Sequence, residues 1–229
     1  MPTAEQAAAL GELYDLDADT REWVIGVVED HHTQRTDKRF AVQRGTNIFA
    51  LQRRFRRLEQ RTTRMRSFSM GAVLGMLQTA DYAAAIFGTD PVDERVQERV
   101  RRRVDALANR ERRYELVLGE GVGRWSLGSH KIMAAQLDDM AAVATLPNVD
   151  LRWLPWWNVP GELPGPGFNI YDDHTVVLSQ VGGSATLTDS DDLDRHRALF
   201  TRLQNAALAG DAARDAIAAL AREHRNLKI

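Results

Sequence analysis

The chain contains no cysteine. That excludes disulfides, thiolate metal sites and a cysteine nucleophile, and it fits a reducing, cytoplasmic setting. Lysine is nearly missing, with three residues at 38, 131 and 228. The remaining basic residues are arginine, and with the abundance of alanine this is the signature of a high-GC genome, so arginine number alone does not argue for phosphate binding. No apolar run approaches the roughly 18 residues a membrane span requires. The N-terminus, MPTAEQAAALGELY, lacks a basic region followed by an apolar core, so no signal peptide is expected. Metal motifs are wanting as well. His31 and His32 are adjacent rather than four apart, and Asp189 to Asp194 lacks the glycine and terminal glutamate of a calcium loop. No metal, cofactor or catalytic residue is assigned.

What is present is ordinary for a folded domain: 229 residues, 44% hydrophobic and 27% charged, with a net charge of −2. The charge is unevenly spread. From Arg35 to Arg66 there are eleven Lys or Arg against two acids, whereas Asp172 to Asp194 is acidic. Such a pattern marks either a nucleic-acid surface or two halves of one molecule facing each other.

Hydrophobic period sets the expected elements. Thr3 and Gln6 form a capping box for a helix over 3–14, and Asp19 or Thr20 caps a second helix to about His32. Residues 33–47 read as a connector. Ile48, Leu51, Phe55, Leu58, Thr62 and Met65 lie on one face of a helix over 48–67. Phe68 to Met76 is a Gly-punctuated apolar crossing. Thr79 caps a helix over 80–87 that Gly88 ends, and Pro91 opens another that runs to about Arg113 on a stripe of Val92, Val96, Val100 and Val104. A strand from Glu115, a helix capped by Ser129, and a strand over 149–154 predict a βαβ crossover. A hairpin turning at Asp172-Asp173-His174, a short strand at 185–188 and helices over 190–208 and 211–224 complete the chain. The predicted class is mixed α/β: a helical N-terminal half on a small mixed sheet, with a crossover helix and two C-terminal helices.

Several groups invite a chemical reading. Asp172, Asp173 and His174 suit acid–base work or a plain turn. GEGVG over 119–123 lacks the rest of a dinucleotide fingerprint. Ser129-His130-Lys131 is a capped helix start first and a triad fragment second. The Pro/Gly-rich loop 155–167 carries Trp156 and Trp157. With Trp125, Trp153, Phe168 and Tyr171 they could line a small-molecule pocket, form a protein interface, or enter the core.

The stretch FRRLEQRTTRMRSFSMGAVLGMLQTADYA, from Phe55 to Ala83, carries a family resemblance. With Leu58-Glu59, the segment Val73-Leu74-Gly75-Met76-Leu77-Gln78-Thr79, Tyr82-Ala83, Glu120, Gln136-Leu137, Pro147-Asn148-Val149, Leu154-Pro155 and Phe168, it resembles the uncharacterised domain that follows the helix-turn-helix in Xre-type transcriptional regulators of filamentous high-GC bacteria. The resemblance covers about residues 45 to 210. The family's proline before Gly75 is Leu74 here, and its acidic residue before Glu120 is Gly119. Residues 3–32 look like the last helix and linker helix behind such a reading head, which divides the chain into 1–34 and a regulatory domain over 35–229. More weakly, the back half resembles one half of a phospholipase-D-like fold, but Phe168-Asn169-Ile170-Tyr171 stands where that fold carries His-x-Lys, so hydrolysis of that kind is not expected.

The resemblance implies a signal-sensing domain, dimeric, that meets DNA only through helix-turn-helix helices not contained in this sequence. Its expected ligand site comprises Gln78, Thr79, Tyr82, Glu120, Trp125, Trp156, Trp157 and Phe168. Two alternatives remain open. One is an enzyme that transfers an acyl or aminoacyl group, with tRNA phosphates held by Arg53, Arg54, Arg57 and Arg61. The other is an interaction module for a small cognate protein.

Overall fold

The computed structural model describes residues 3–22, 24–26, 28, 40–44, 48–158, 161, 165, 167–180 and 183–227, with backbone alone at 40–44, 48–54 and 180. His31 and His32 therefore lie outside the described residues. The first helix, α1 (Ala4–Leu13), begins with the expected reciprocal capping box between Thr3 and Gln6. Its outer residues Leu10, Leu13 and Tyr14 stay exposed, and only Ala7 and Gly11 are buried. Residues 18–22 are helical, and their start is capped by Asp17, whose carboxylate accepts from the Thr20 N–H and hydroxyl. The expected caps, Asp19 and Thr20, lie inside that helix.

Among the described residues, seven strands form one mixed sheet: β1 (Phe40–Arg44), β2 (Arg64–Ser69), β3 (Arg113–Gly119), β4 (Val149–Leu154), β5 (Phe168–Tyr171), β6 (Thr175–Gln180) and β7 (Gly183–Leu187), in the order β1-β7-β6-β5-β2-β3-β4. Strands β2, β3 and β4 run parallel, whereas β5, β6, β7 and β1 form an antiparallel meander joined to β2. β2 is therefore the seam between the two halves.

Three expectations are corrected here. Residues 33–47 were expected to connect helices, yet 40–44 form an edge strand. The helix predicted over 48–67 stops at Arg61, and Arg64–Ser69 is a strand at the heart of the sheet. The helix over 91–113 is also shorter: Asp93 caps it and Ala108 ends it.

The helices are α2 (Ile48–Arg61), α3 (Ala80–Phe87), α4 (Glu94–Ala108), the short α5 (Gly121–Arg124), α6 (His130–Val143), α7 (Ser190–Ala206) and α8 (Gly210–Asn226). They cover both sheet faces. Alternation along β3 sends Tyr114, Leu116 and Leu118 to a core shared with α6 and α8, and Val117 to a second core where Phe68, Ile170 and Val176 meet Leu193, Phe200 and Leu203 of α7. The crossover β3–α6–β4 is present as expected. Thr79 caps α3, and Gly88 closes it in the left-handed region at φ 62°.

The Asp172-Asp173 pair serves the fold. The Asp172 carboxylate accepts from the Thr63 N–H (3.0 Å), the Thr63 hydroxyl (2.9 Å) and the Arg64 N–H (2.9 Å), locking the start of β2 to the β5–β6 turn. Arg66, buried on β2, donates to the Asp172 carbonyl at 2.9 Å and to the Asp173 carboxylate, which also pairs with Arg197 of α7. Burial works to raise the Asp172 pKa, but the hydrogen bonds from Arg64 and Thr63 and the nearby His174 outweigh it and hold the group below its ordinary 3.8. A carboxylate with a depressed folded pKa stabilises the fold above its unfolded value, and that contribution is lost as pH falls through the folded one. Asp172→Asn is therefore expected to be less stable than wild type near neutrality. The difference should close as pH drops below about 4, read as urea midpoints across a pH series.

Candidate ligand cavity

Beyond Ser69 the chain bends, buries Val73, makes a 3-10 turn at Gly75–Leu77 and restarts as α3. Gln78 is 3% exposed: its Nε2 donates to the Val73 carbonyl and its Oε1 accepts from Arg99 NH1, both at 2.7 Å. The Tyr82 hydroxyl accepts from the Val73 N–H at 3.2 Å, and burial pushes its pKa up. The N–H of Thr79 donates to Gln136 Oε1 at 2.8 Å, while Gln136 Nε2 donates to the Leu77 carbonyl at 2.8 Å. These side chains satisfy backbone groups that the non-repetitive crossing would otherwise leave buried and unpaired.

Between this crossing, the sheet and helices α2 and α4 lies a cavity of about 620 Å³. Its apolar wall comes from Phe55, Met65, Val73, Leu74, Met76 and Phe168, and its charged wall from Glu59, Arg99 and Arg102. Arg102 is gripped by Glu59 through two bonds, Nε at 3.2 Å and NH2 at 2.5 Å. Arg99 has no carboxylate partner among the described residues. Its one hydrogen bond goes to Gln78, its Nε is buried without an acceptor, and its guanidinium lies 5.1 Å from the Phe87 ring centre. Burial first, and then the charge of Arg102, pull its pKa down to about 10 against the opposing pull of Glu59. A Cβ at Gly75 would stand 3.2 Å from Arg99 NH1, so the glycine leaves room for the guanidinium to reach Gln78.

Of the residues expected in a site, Phe168 lines this cavity, and Gln78 reaches it through Arg99. Thr79 and Tyr82 stand behind it. Glu120 lies outside it: its carboxylate accepts from Arg124, at 2.9 and 2.5 Å, and from the Trp156 N–H at 3.3 Å, tying α5 to the loop. Trp125, Trp156 and Trp157 are 65, 54 and 82% exposed and are not in the cavity wall. The side chains of Arg53 and Arg54 lie outside the described residues. Arg57 and Arg61 are exposed on α2.

The sequence reading passed over Arg99, Arg102 and Glu59. A signal for Arg99 existed. Residues 96, 99, 103 and 106 follow three- and four-residue steps and form the inward face of α4, with Val96 and Ala106 buried. The valines at 96, 100 and 104, spaced by four, drift around the helix, leaving Val104 55% exposed, while Val92, 81% exposed, precedes the Asp93 cap.

A second cavity of about 730 Å³ opens beside Ser126, His130 and His224. Ser126 Oγ lies 2.6 Å from His130 Nδ1, which lies 3.1 Å from His224 Nδ1. His224 Nε2 faces the Gly123 carbonyl at 2.7 Å. A carbonyl only accepts, so with both rings neutral the His224 proton sits on Nε2, its Nδ1 accepts, and His130 carries its proton on Nδ1. Ser126 thus faces an N–H rather than a base. This arrangement does not activate a serine nucleophile.

The fold is a mixed α/β domain in which the sheet, the 69–79 crossing and helices α2 and α4 bound a cavity of about 620 Å³. Residues 52–219 match the family described as Domain of unknown function (DUF5753), and the chain belongs to that family. No curated protein matches the sequence. Among solved structures, the chain is similar to TrmBL2, an archaeal chromatin protein, at 11% identity over 90% of this chain and 68% of that one, with a TM-score of 0.41. It is also similar to Nuc, a phospholipase D family member from Salmonella typhimurium, at 12% identity over 75% and 98% of the two chains and a TM-score of 0.46. For NucT from Helicobacter pylori the values are 9%, 75%, 97% and 0.45. No described helix is long and apolar enough to cross a membrane.

Proposed function

We propose that this domain is the signal-sensing module of an Xre-type bacterial transcriptional regulator, acting in the cytoplasm as a dimer and holding its small-molecule signal in the cavity beneath α2 and α4. The observation that carries the reading is the cavity itself. It is ligand-sized, largely apolar and supplied with a few polar groups, the usual composition of a small-molecule site. The motif over Phe55 to Ala83, which suggested the regulator, runs through its wall. Helix α2 places Phe55 and Glu59 on the cavity, so a ligand that alters the Glu59–Arg102 grip would shift the cavity helix that is nearer in sequence to residues 3–32, the segment that resembles the linker behind a DNA-reading head.

A thermal-shift screen of small metabolites tests this. A ligand present at about 100 times its Kd should raise the melting temperature by roughly 5–10 °C. Ala72→Trp, which sets an indole in the cavity wall from an exposed bend, should erase the rise while leaving the fold intact. Stabilisation that survives Ala72→Trp would place the ligand elsewhere. Salt-sensitive RNA binding, lost when Arg57 and Arg61 are changed to Ala, would instead favour the aminoacyl-transfer reading.

A further inference from the structure

We propose that the molecule held in this cavity is a small amphipathic anion, an apolar body bearing one acidic group, with Arg99 as its counter-cation. The inference rests on the reading of the cavity as a ligand site and adds the chemical class of the ligand.

A guanidinium keeps its proton in proteins, so Arg99 cannot escape the cost of burial by becoming neutral. Folded proteins meet that cost by pairing the charge. Here the pairing is incomplete. Among the described residues Glu59 is the only carboxylate in the wall, and it is taken by Arg102 through two bonds. Gln78 offers Arg99 a neutral oxygen, and Phe87 offers a ring face. Arg95, the next cation along the helix, is held by Asp93. Among the described residues, two arginines against one glutamate leave the cavity wall with one unmatched positive charge.

The geometry preserves that charge. Gly75 leaves room for the guanidinium, and Gln78 fixes it by donating its own amide to Val73. An incoming acidic oxygen would complete the set, and charge-assisted bonds to arginine are the strong ones. One unmatched charge calls for one acidic group. The walls of Met65, Val73, Leu74, Met76 and three phenylalanines, Phe55, Phe68 and Phe168, call for an apolar body. A bare ion leaves that surface uncovered.

Two dyes of nearly the same body separate the terms: 8-anilino-1-naphthalenesulfonate, which is anionic, and N-phenyl-1-naphthylamine, which is neutral. Fluorescence titration of the intact chain should show saturable binding of the anion, at least tenfold tighter than the neutral dye. Inorganic phosphate at equal concentration should not displace it. Arg99→Met should weaken the sulfonate at least tenfold and leave the neutral dye unchanged, while Arg99→Lys retains part of the preference. Each variant is checked for cooperative unfolding, and if Arg99→Met does not fold, Arg99→Lys and Ala72→Trp carry the comparison. Equal affinities for the two dyes, both lost in Ala72→Trp, would overturn the anion inference and leave the cavity reading standing. Sulfonate binding untouched by Ala72→Trp would overturn both. No saturable sulfonate binding would overturn the inference as well.

Discussion

Gly123→Val is expected to destabilise the domain by about 3 kcal/mol, lowering its melting temperature by roughly 6–12 °C. Gly123 lies in α5 where that short helix crosses the core. A Cβ there would stand 2.5 Å from Leu220 Cδ2, 2.9 Å from Trp153 Cη2 and 3.1 Å from Leu137 Cδ2. All three neighbours belong to one close-packed cluster and are nearly or fully buried. A packed interior has no free volume into which they can retreat, so three added carbons force side chains off their rotamers or move α5. The second consequence is a polar one, because the Gly123 carbonyl is the acceptor for buried His224. Gly71→Ala is the control: nothing lies within 4 Å of a Cβ at that position, and the change should fall within about 0.5 kcal/mol of wild type. Urea unfolding of the two variants checks both expectations. Equal midpoints would mean that GEGVG is not held by close approach.

The second large effect has two signs. Glu59→Gln keeps the shape of the side chain and removes the charge that holds Arg102. The two side chains are 17 and 11% exposed, so the pair is mostly but not wholly dehydrated. Removing one partner of a fully buried pair costs about 3–5 kcal/mol, and with partial exposure and a glutamine oxygen still available the expected cost is about 2 kcal/mol. The same change leaves two unmatched cations in the cavity wall. An anion held beside Arg99 should then bind more tightly. At an effective dielectric near 20, one added charge a few ångströms away contributes on the order of 1.4 kcal/mol after screening, about tenfold in Kd. A variant that loses stability while gaining affinity is what a charge-matched ligand site predicts, and a purely structural ion pair predicts only the loss.

How far the sequence could be read follows from where its side chains point. Elements with clean caps were legible: Thr3 with Gln6, Thr79 with Gly88, and Ser129 all start or end helices where their residue types favour it. The β3–α6–β4 crossover was legible because β3 carries the apolar run of RYELVLG and β4, VDLRWL, alternates apolar with polar residues. β2 was not. RMRSFS reads as the polar end of a helix, since Arg66 and Ser67 are buried in a central strand by partners far away in sequence, Asp172 with Asp173 and Asn169. Tertiary pairing overrode local pattern there. β1 was hidden for a related reason: an edge strand pairs on one side, and FAVQR carries little of the apolar alternation expected of a central strand.

The candidate site was legible in part. Gln78, Thr79 and Tyr82 were expected to contact a ligand, and in the structure their hydrogen bonds turn inward to Val73 and Gln136. Arg99 was hard to find inside ERVQERVRRRV. The steps 96, 99, 103 and 106 point to it, but the four-residue spacing of the valines points to a different stripe, and the many neighbouring arginines blur the pattern. Burial and the missing carboxylate are properties of the folded chain.

The affinity of Glu59→Gln for 8-anilino-1-naphthalenesulfonate, compared with wild type under the same salt, tests the unmatched charge of Arg99 most directly, because a damaged fold does not readily produce a gain limited to the anionic dye. The account predicts about tenfold tighter binding of the sulfonate, with the neutral N-phenyl-1-naphthylamine unchanged. Sulfonate binding that is unchanged or weaker, or a gain shared equally by the neutral dye, would contradict it.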